Sequence, residues 1–163
     1  MSVSDNLKDV KRKIPSHVRL VAVSKTKPVS VVMEAYTAGQ RIFGENKAQE
    51  LITKQPELPD DIEWHFIGHL QRNKVKYLAP FVAMIESVDS LKLLKEINKE
   101  AAKAERVIPC LLQFHIASEE TKFGLDPAEA GALLESEAYA AMKNVRLCGV
   151  MGMATFTSRE EIV

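Results

Sequence analysis

The sequence predicts an α/β fold built on a parallel sheet, and three observations carry that prediction. Six short apolar runs, rich in β-branched residues, alternate with stretches of helical periodicity. The runs are apolar on both alternating sides, as strands covered on both faces must be. Each run also ends in a polar or sulfur-bearing tip: Lys25, Glu45-Asn46, His65 with Gly68-His69, Glu86-Ser87, His115 and Met151-Gly-Met153. A β/α barrel collects such tips on one face, where active sites of that architecture lie.

The elements follow in order. Asp5 to Lys13 reads as a short polar helix stopped by Pro15. Arg19-Leu-Val-Ala-Val-Ser24 is the first strand, and Pro28-Val-Ser30 opens a helix that Gly39 ends. Arg41 to Asn46 is a second strand, followed by a helix from Lys47 to Lys54 that Pro56 and Pro59 close. Glu63 to Gly68 is a third strand, with a helix from Leu70 to Leu78 before Pro80. Val82 to Val88 makes the fourth strand. Asp89 or Ser90 caps the next helix, whose stripe of Leu94, Ile97, Ala101 and Ala104 keeps the helical period. Val107 to Ile116 is the fifth strand. Asp126-Pro127-Ala-Glu129 sets an N-cap, a proline at the first helical position and a carboxylate at the third, opening a helix to Met142. Val145 to Phe156 holds the sixth strand, and Ser158 to Glu161 resembles the start of another helix.

Composition narrows the function classes. With 163 residues the chain is expected to form one domain, residues 1–163. Its 22 basic and 22 acidic residues cancel, which points away from nucleic acid and from anionic membrane surfaces. No apolar stretch approaches the roughly 20 residues that span a bilayer, and the polar first residues do not read as a secretory signal. Cys110 and Cys148 sit in apolar runs and are expected to be buried thiols, in keeping with a reducing cytoplasm.

The first strand holds the residue of greatest chemical interest. Val21, Val23 and Lys25 share one side, so the lysine is the polar end of an apolar row. Partial burial and the neighbouring Lys27 charge would both favour the neutral amine that Schiff-base formation requires. A lysine snorkelling out of a strand end would look the same. Spacing alone leaves both readings open.

Taken together, Ala22-Val-Ser-Lys-Thr-Lys-Pro28, Phe43-Gly-Glu-Asn46, His65-Phe-Ile-Gly68 with Leu70-Gln71 and Asn73-Lys74, and Glu120 with Lys122 and Gly124 resemble the YggS/PROSC family, the pyridoxal phosphate homeostasis proteins. The resemblance runs in order from the first strand to Thr157. It implies a barrel of the alanine racemase N-terminal-domain kind and pyridoxal 5'-phosphate (PLP) held as a Schiff base on Lys25. It also implies a homeostasis role without established catalysis, with PLP-dependent apo-enzymes as recipients. Asn46 matches the family asparagine near the cofactor, and His65, Met151 and Met153 match positions at the pocket wall. Two later family segments, a Ser-x-Gly-Met-Ser turn and a Gly-x-x-x-Val-Arg-Ile-Gly run, have no counterpart here. The expectation is therefore a C-terminally truncated barrel of about six strands lacking the last two βα units, against about 250 residues for a full one. Its open sheet edges invite self-association.

Rival readings are weaker. His65 and His69 have the i, i+4 spacing of metal ligands, but Gly68 and the strand break the helix that would align them, so no metal is expected. A PLP enzyme of the racemase or decarboxylase type shares the lysine on the first strand. A racemase needs a second acid–base group, commonly a tyrosine, and Tyr36, Tyr77 and Tyr139 all fall in predicted helices. A truncated or engineered fragment with no cofactor function is the remaining alternative.

Overall fold

The computed structural model describes residues 2–116 and 123–154. Within them the strands are β1 (Ala22–Val23), β2 (Ile42–Glu45), β3 (Glu63–Phe66), β4 (Met84–Val88), β5 (Ile108–Phe114) and β6 (Val145–Gly152). All neighbouring pairs are parallel, and the order across the sheet is the order in the chain. Among the described residues β1 and β6 each pair on one side only, so the sheet is an open, incomplete barrel of the expected α/β kind. No helix among them is long and apolar enough to cross a membrane.

Seven α-helices connect and flank the strands: α1 (Val3–Lys13), α2 (Val29–Thr37), α3 (Ala48–Lys54), α4 (Val75–Leu78), α5 (Leu91–Lys103), α6 (Pro127–Glu135) and α7 (Glu137–Ala140). Local chemistry sets their ends. The Asp126–Glu129 capping box forms as expected, each side chain accepting the other's backbone N–H. A second capping box, Ser2 with Asp5, starts α1 two residues before the predicted Asp5. The helix predicted to run to Met142 instead breaks at Ser136. This residue is extended and turns its hydroxyl to the Tyr139 N–H, capping α7. Serine competes with the helical backbone in just this way. The helix predicted from Leu70 is only a 3₁₀ turn, Arg72–Lys74, running into α4, because Gln71 is extended.

β1 is shorter than the apolar run suggested. The Leu20 carbonyl accepts the Gln40 side-chain amide at 2.7 Å, which also binds the Ile42 carbonyl at 2.7 Å. A side chain thus takes the place of ladder pairing at the base of the strand. Beyond Val23 the Ser24 N–H reaches the Gly44 carbonyl at 3.0 Å.

The two faces of the sheet differ. Phe43, Trp64, Phe66, Ile85, Cys110 and Leu112 belong to one buried cluster with Val32, Leu51, Val75, Leu78, Leu94 and Ile97 of the helices. This outer layer is mainly apolar. The opposite face is marked by Gly44, where an added Cβ would lie 3.0 Å from Ile67 and 3.1 Å from Val21. By alternation Val23 and His65 belong to the same inner face.

One cysteine departs from expectation. Cys110 is buried, and burial pushes its thiol up to about 12, so it stays protonated. Cys148 is exposed. Between β5 and β6 the register slips, Cys110 pairing with Leu147 and Leu111 with Gly149, so Cys148 is the extra residue of a bulge on the outermost strand.

The predicted α5 stripe packs as drawn through Leu94, Ile97 and Ala101, all fully buried. Replacing Ile97 with Ala leaves a cavity that packed neighbours fill only in part. It should cost about 2–5 kcal/mol of unfolding free energy, measured by urea denaturation.

Candidate functional site

The carboxyl ends of β1, β2 and β3 bring three of the sequence-predicted residues together. Val23 pairs with Gly44 and Gly44 with His65. Lys25 and Asn46 each lie two residues past that Val23–Gly44 pair, Lys25 in the turn after β1 and Asn46 just after β2. His65 sits one step deeper, in register with that pair. Met151 and Met153 lie elsewhere: Met151 pairs with Gln113 on β6, at the far edge of the sheet, and Met153 follows the end of that strand and is exposed.

Lys25 is exposed, so the burial expected to favour its neutral amine is absent. β1 pairs on one side only, and Ser24 at its tip is buried while Lys25 beyond it is not. Among the described residues Lys25 pairs with no carboxylate, and the Asn46 amide has no hydrogen-bond partner. Both groups are thus available to a ligand. Asn46 is also fixed from above. A Cβ on Gly68 would fall 2.3 Å from the Asn46 carbonyl oxygen, so only glycine lets the end of β3 cross there.

His65 is buried, and its Nδ1 lies 2.5 Å from Glu86 Oε1 of β4. A carboxylate there favours a proton on Nδ1 and fixes the orientation of the ring. His69 turns instead to Asp89 at 3.2 Å and stacks on Phe123, with ring centroids 3.7 Å apart. The two histidines therefore serve separate carboxylates. No group of three or more metal-binding side chains occurs among the described residues.

The feature that sequence reasoning missed lies behind Lys25, on the helix side of the sheet. Lys54, at the end of α3, is buried and spends all three ammonium protons: on the Ser24 carbonyl at 2.8 Å, Glu45 Oε1 at 2.7 Å and Glu50 Oε1 at 2.6 Å. Glu45 is fully buried, and its Oε1 also accepts the Ser24 hydroxyl at 2.7 Å. Glu50 Oε1 accepts the Thr26 backbone N–H at 2.6 Å. Burial alone would push the Lys54 ammonium down, but its hydrogen bonds to Glu45 and Glu50 outweigh this and hold the group above the ordinary lysine range. The Glu50–Lys54 spacing of i, i+4 was visible in the sequence as a helical ion pair. Its tie to the tip of β1 had no local signal.

The alanine racemase N-terminal domain family matches residues 2–161. The chain belongs to that family. The expected resemblance is also borne out among relatives. A pyridoxal phosphate homeostasis protein of Aquifex aeolicus is 40% identical over 146 residues, 89% of this chain and 63% of that one. The Homo sapiens protein of the same name is 43% identical over 148 residues, 85% of this chain and 53% of that one. The chain therefore spans between about half and two thirds of the length of these relatives. Among solved structures, PipY of Synechococcus elongatus with PLP bound aligns at a TM-score of 0.85 and 35% identity, covering 96% of this chain and 72% of that one.

The Lys54 cluster makes a pH dependence. Glu50 is held below the ordinary carboxylate range, first by its hydrogen bond to Lys54 and, against the pull of burial, also by the Thr26 N–H. A carboxyl depressed in the folded state contributes stability above its ordinary value of 4.5, and that contribution fades as the pH falls through the lower folded value. Between neutral pH and the region below about 4.5, Glu50→Gln should therefore lose less stability than the parent. Urea unfolding at the two pH values measures the difference.

Proposed function

We propose that this chain takes part in PLP homeostasis, binding PLP as a Schiff base on Lys25 and catalysing no amino-acid turnover. The observation that carries this reading is that Lys25 and Asn46, neither side chain with a partner among the described residues, follow the carboxyl ends of the neighbouring strands β1 and β2, each two residues past the Val23–Gly44 pair. The homeostasis proteins among the relatives and the PLP-bound PipY support it.

The residues present fit the aldehyde and ring end of PLP. Lys25 would hold the aldehyde end as a Schiff base through its Nζ, with water as the leaving group and no change of oxidation state. The bound group supplies an electron-withdrawing pyridine ring. Asn46 would orient that ring through its amide, and His65, held by Glu86, would close the inner face beneath it. Met151 and Met153 would reach the site only where the curvature of the sheet brings β6 round to β1.

The absence of catalysis is supported by the tyrosines. Tyr36, Tyr77 and Tyr139 lie in α2, α4 and α7 rather than at strand ends, and Tyr36 donates to Asp61 at 2.7 Å. The reading includes a cytoplasmic setting, PLP-dependent apo-enzymes as recipients, and self-association through the edges of β1 and β6. Val23 and Val150 on those edges are exposed, and Val23 shares an apolar groove with Val10, Val21 and Val31.

Titration with PLP should raise a visible absorption band. Borohydride reduction followed by peptide mapping should place the label on Lys25, and Lys25→Ala should abolish the band without changing the circular dichroism. Label on Lys27, Lys47 or Lys122 in preference to Lys25 would refute the assignment, and turnover of free amino acids would refute the non-catalytic role.

Asn46→Ala should weaken binding by the loss of one hydrogen bond, about 0.5–1.5 kcal/mol, or shift the band. A variant that titrates like the parent would make Asn46 purely structural.

A further inference from the structure

We propose that Glu50, anchored by Lys54 and Glu45, is a positioning residue that fixes the direction in which Lys25 is presented. The proposal rests on the reading of Lys25 as the Schiff-base lysine, and it concerns how the chain presents that amine.

Within its turn the cluster grips the residues on either side of Lys25 and leaves the Lys25 side chain untouched. Ser24, before it, is buried and gripped twice, its carbonyl by Lys54 and its hydroxyl by Glu45. The same carbonyl accepts the Lys27 N–H at 3.1 Å, which closes the turn. Thr26, after it, stands at φ 63°, a left-handed conformation that a β-branched residue adopts only under constraint. Two contacts hold it there: the Lys27 N–H closes the turn on the Ser24 carbonyl, and the Glu50 carboxylate takes the Thr26 N–H. The Lys25 backbone is thus clamped at both neighbours from the helix side, while its own side chain is exposed at the turn. Without Glu50 the favourable course for Thr26 is to return to negative φ. That turns the Lys25–Thr26 peptide against the rest of the turn and changes the direction in which Lys25 is presented.

A substituent that only stabilised the core would have no reason to act through the backbone angle of Thr26, and that separates the two roles. In Glu50→Ala, Schiff-base formation with PLP should slow by roughly ten- to a hundredfold, the range a displaced reacting group produces. Borohydride label should spread from Lys25 to Lys27. Adding Thr26→Gly to Glu50→Ala should restore both rate and selectivity, because glycine takes positive φ without help. Hydrogen exchange gives a readout free of PLP: the Thr26 amide should be protected in the parent and exchange at least about tenfold faster in Glu50→Ala.

Should Glu50→Ala unfold, the doubly substituted protein and the parent still yield the labelling ratio, and a double variant that labels Lys27 as readily as Lys25 overturns the proposal. Unchanged rate, selectivity and exchange in a folded Glu50→Ala overturn it as well. A parent protein labelled elsewhere than Lys25 refutes the functional reading instead, and the exchange of the Thr26 amide then decides the geometry alone.

Discussion

An ammonium group enclosed by protein must find an acceptor for each of its three protons, and Lys54 meets that demand by joining three elements. Its partners come from the tip of β1, from β2 and from its own helix α3. The cluster is not free. Burying ions has a desolvation cost that their attraction offsets only with good geometry, and Glu45 Oε2 is left without a partner among the described residues. An apolar trio of the same volume could have filled the space. What such a trio would not supply is direction, and direction is what β1 needs. Its ladder is two residues long, and it is held at its base by Gln40 and at its tip by Lys54.

The division of labour between the faces follows from this. The outer face and the helices make a mainly apolar layer that carries most of the hydrophobic stabilisation, including the tilted Phe43–Trp64 pair with centroids 5.9 Å apart. The inner face and the strand ends beyond it carry the groups able to do chemistry, with His65 and Glu86 paired, and Lys25 and Asn46 left available. Ser24 and Lys25, adjacent in sequence, differ in burial, the first buried and the second exposed. A structural cluster and an exposed amine thus share one turn.

Much of this was legible in the residues. Alternating apolar runs and helical stretches gave six parallel strands in order, and the Asp126–Glu129 box predicted a helix start because capping is a local matter. Lys25, Asn46 and His65 fell together because strand ends in a parallel sheet gather at one side. The misses have common causes. Ser136 split a helix that periodicity alone would continue, since a hydroxyl offers the backbone a competing bond. Cys148 left the interior because a bulge, set by pairing with β5, shifts the alternation by one. Lys54 marked only the end of the predicted Lys47–Lys54 helix, for its burial depends on Ser24, thirty residues away in the chain. Long-range pairing of that sort leaves no mark in a single sequence.

The strand order has a consequence for how such a chain is made. Each strand pairs with the one synthesised just before it, so no strand waits for a distant partner. Every new βα unit can add to an edge already in place while the chain is still leaving the ribosome, and the growing end always presents a templating edge. An architecture that closed β1 early on a late strand would lack this property. Here the nascent chain can grow by accretion, with its exposed edge moving along the sheet one strand at a time.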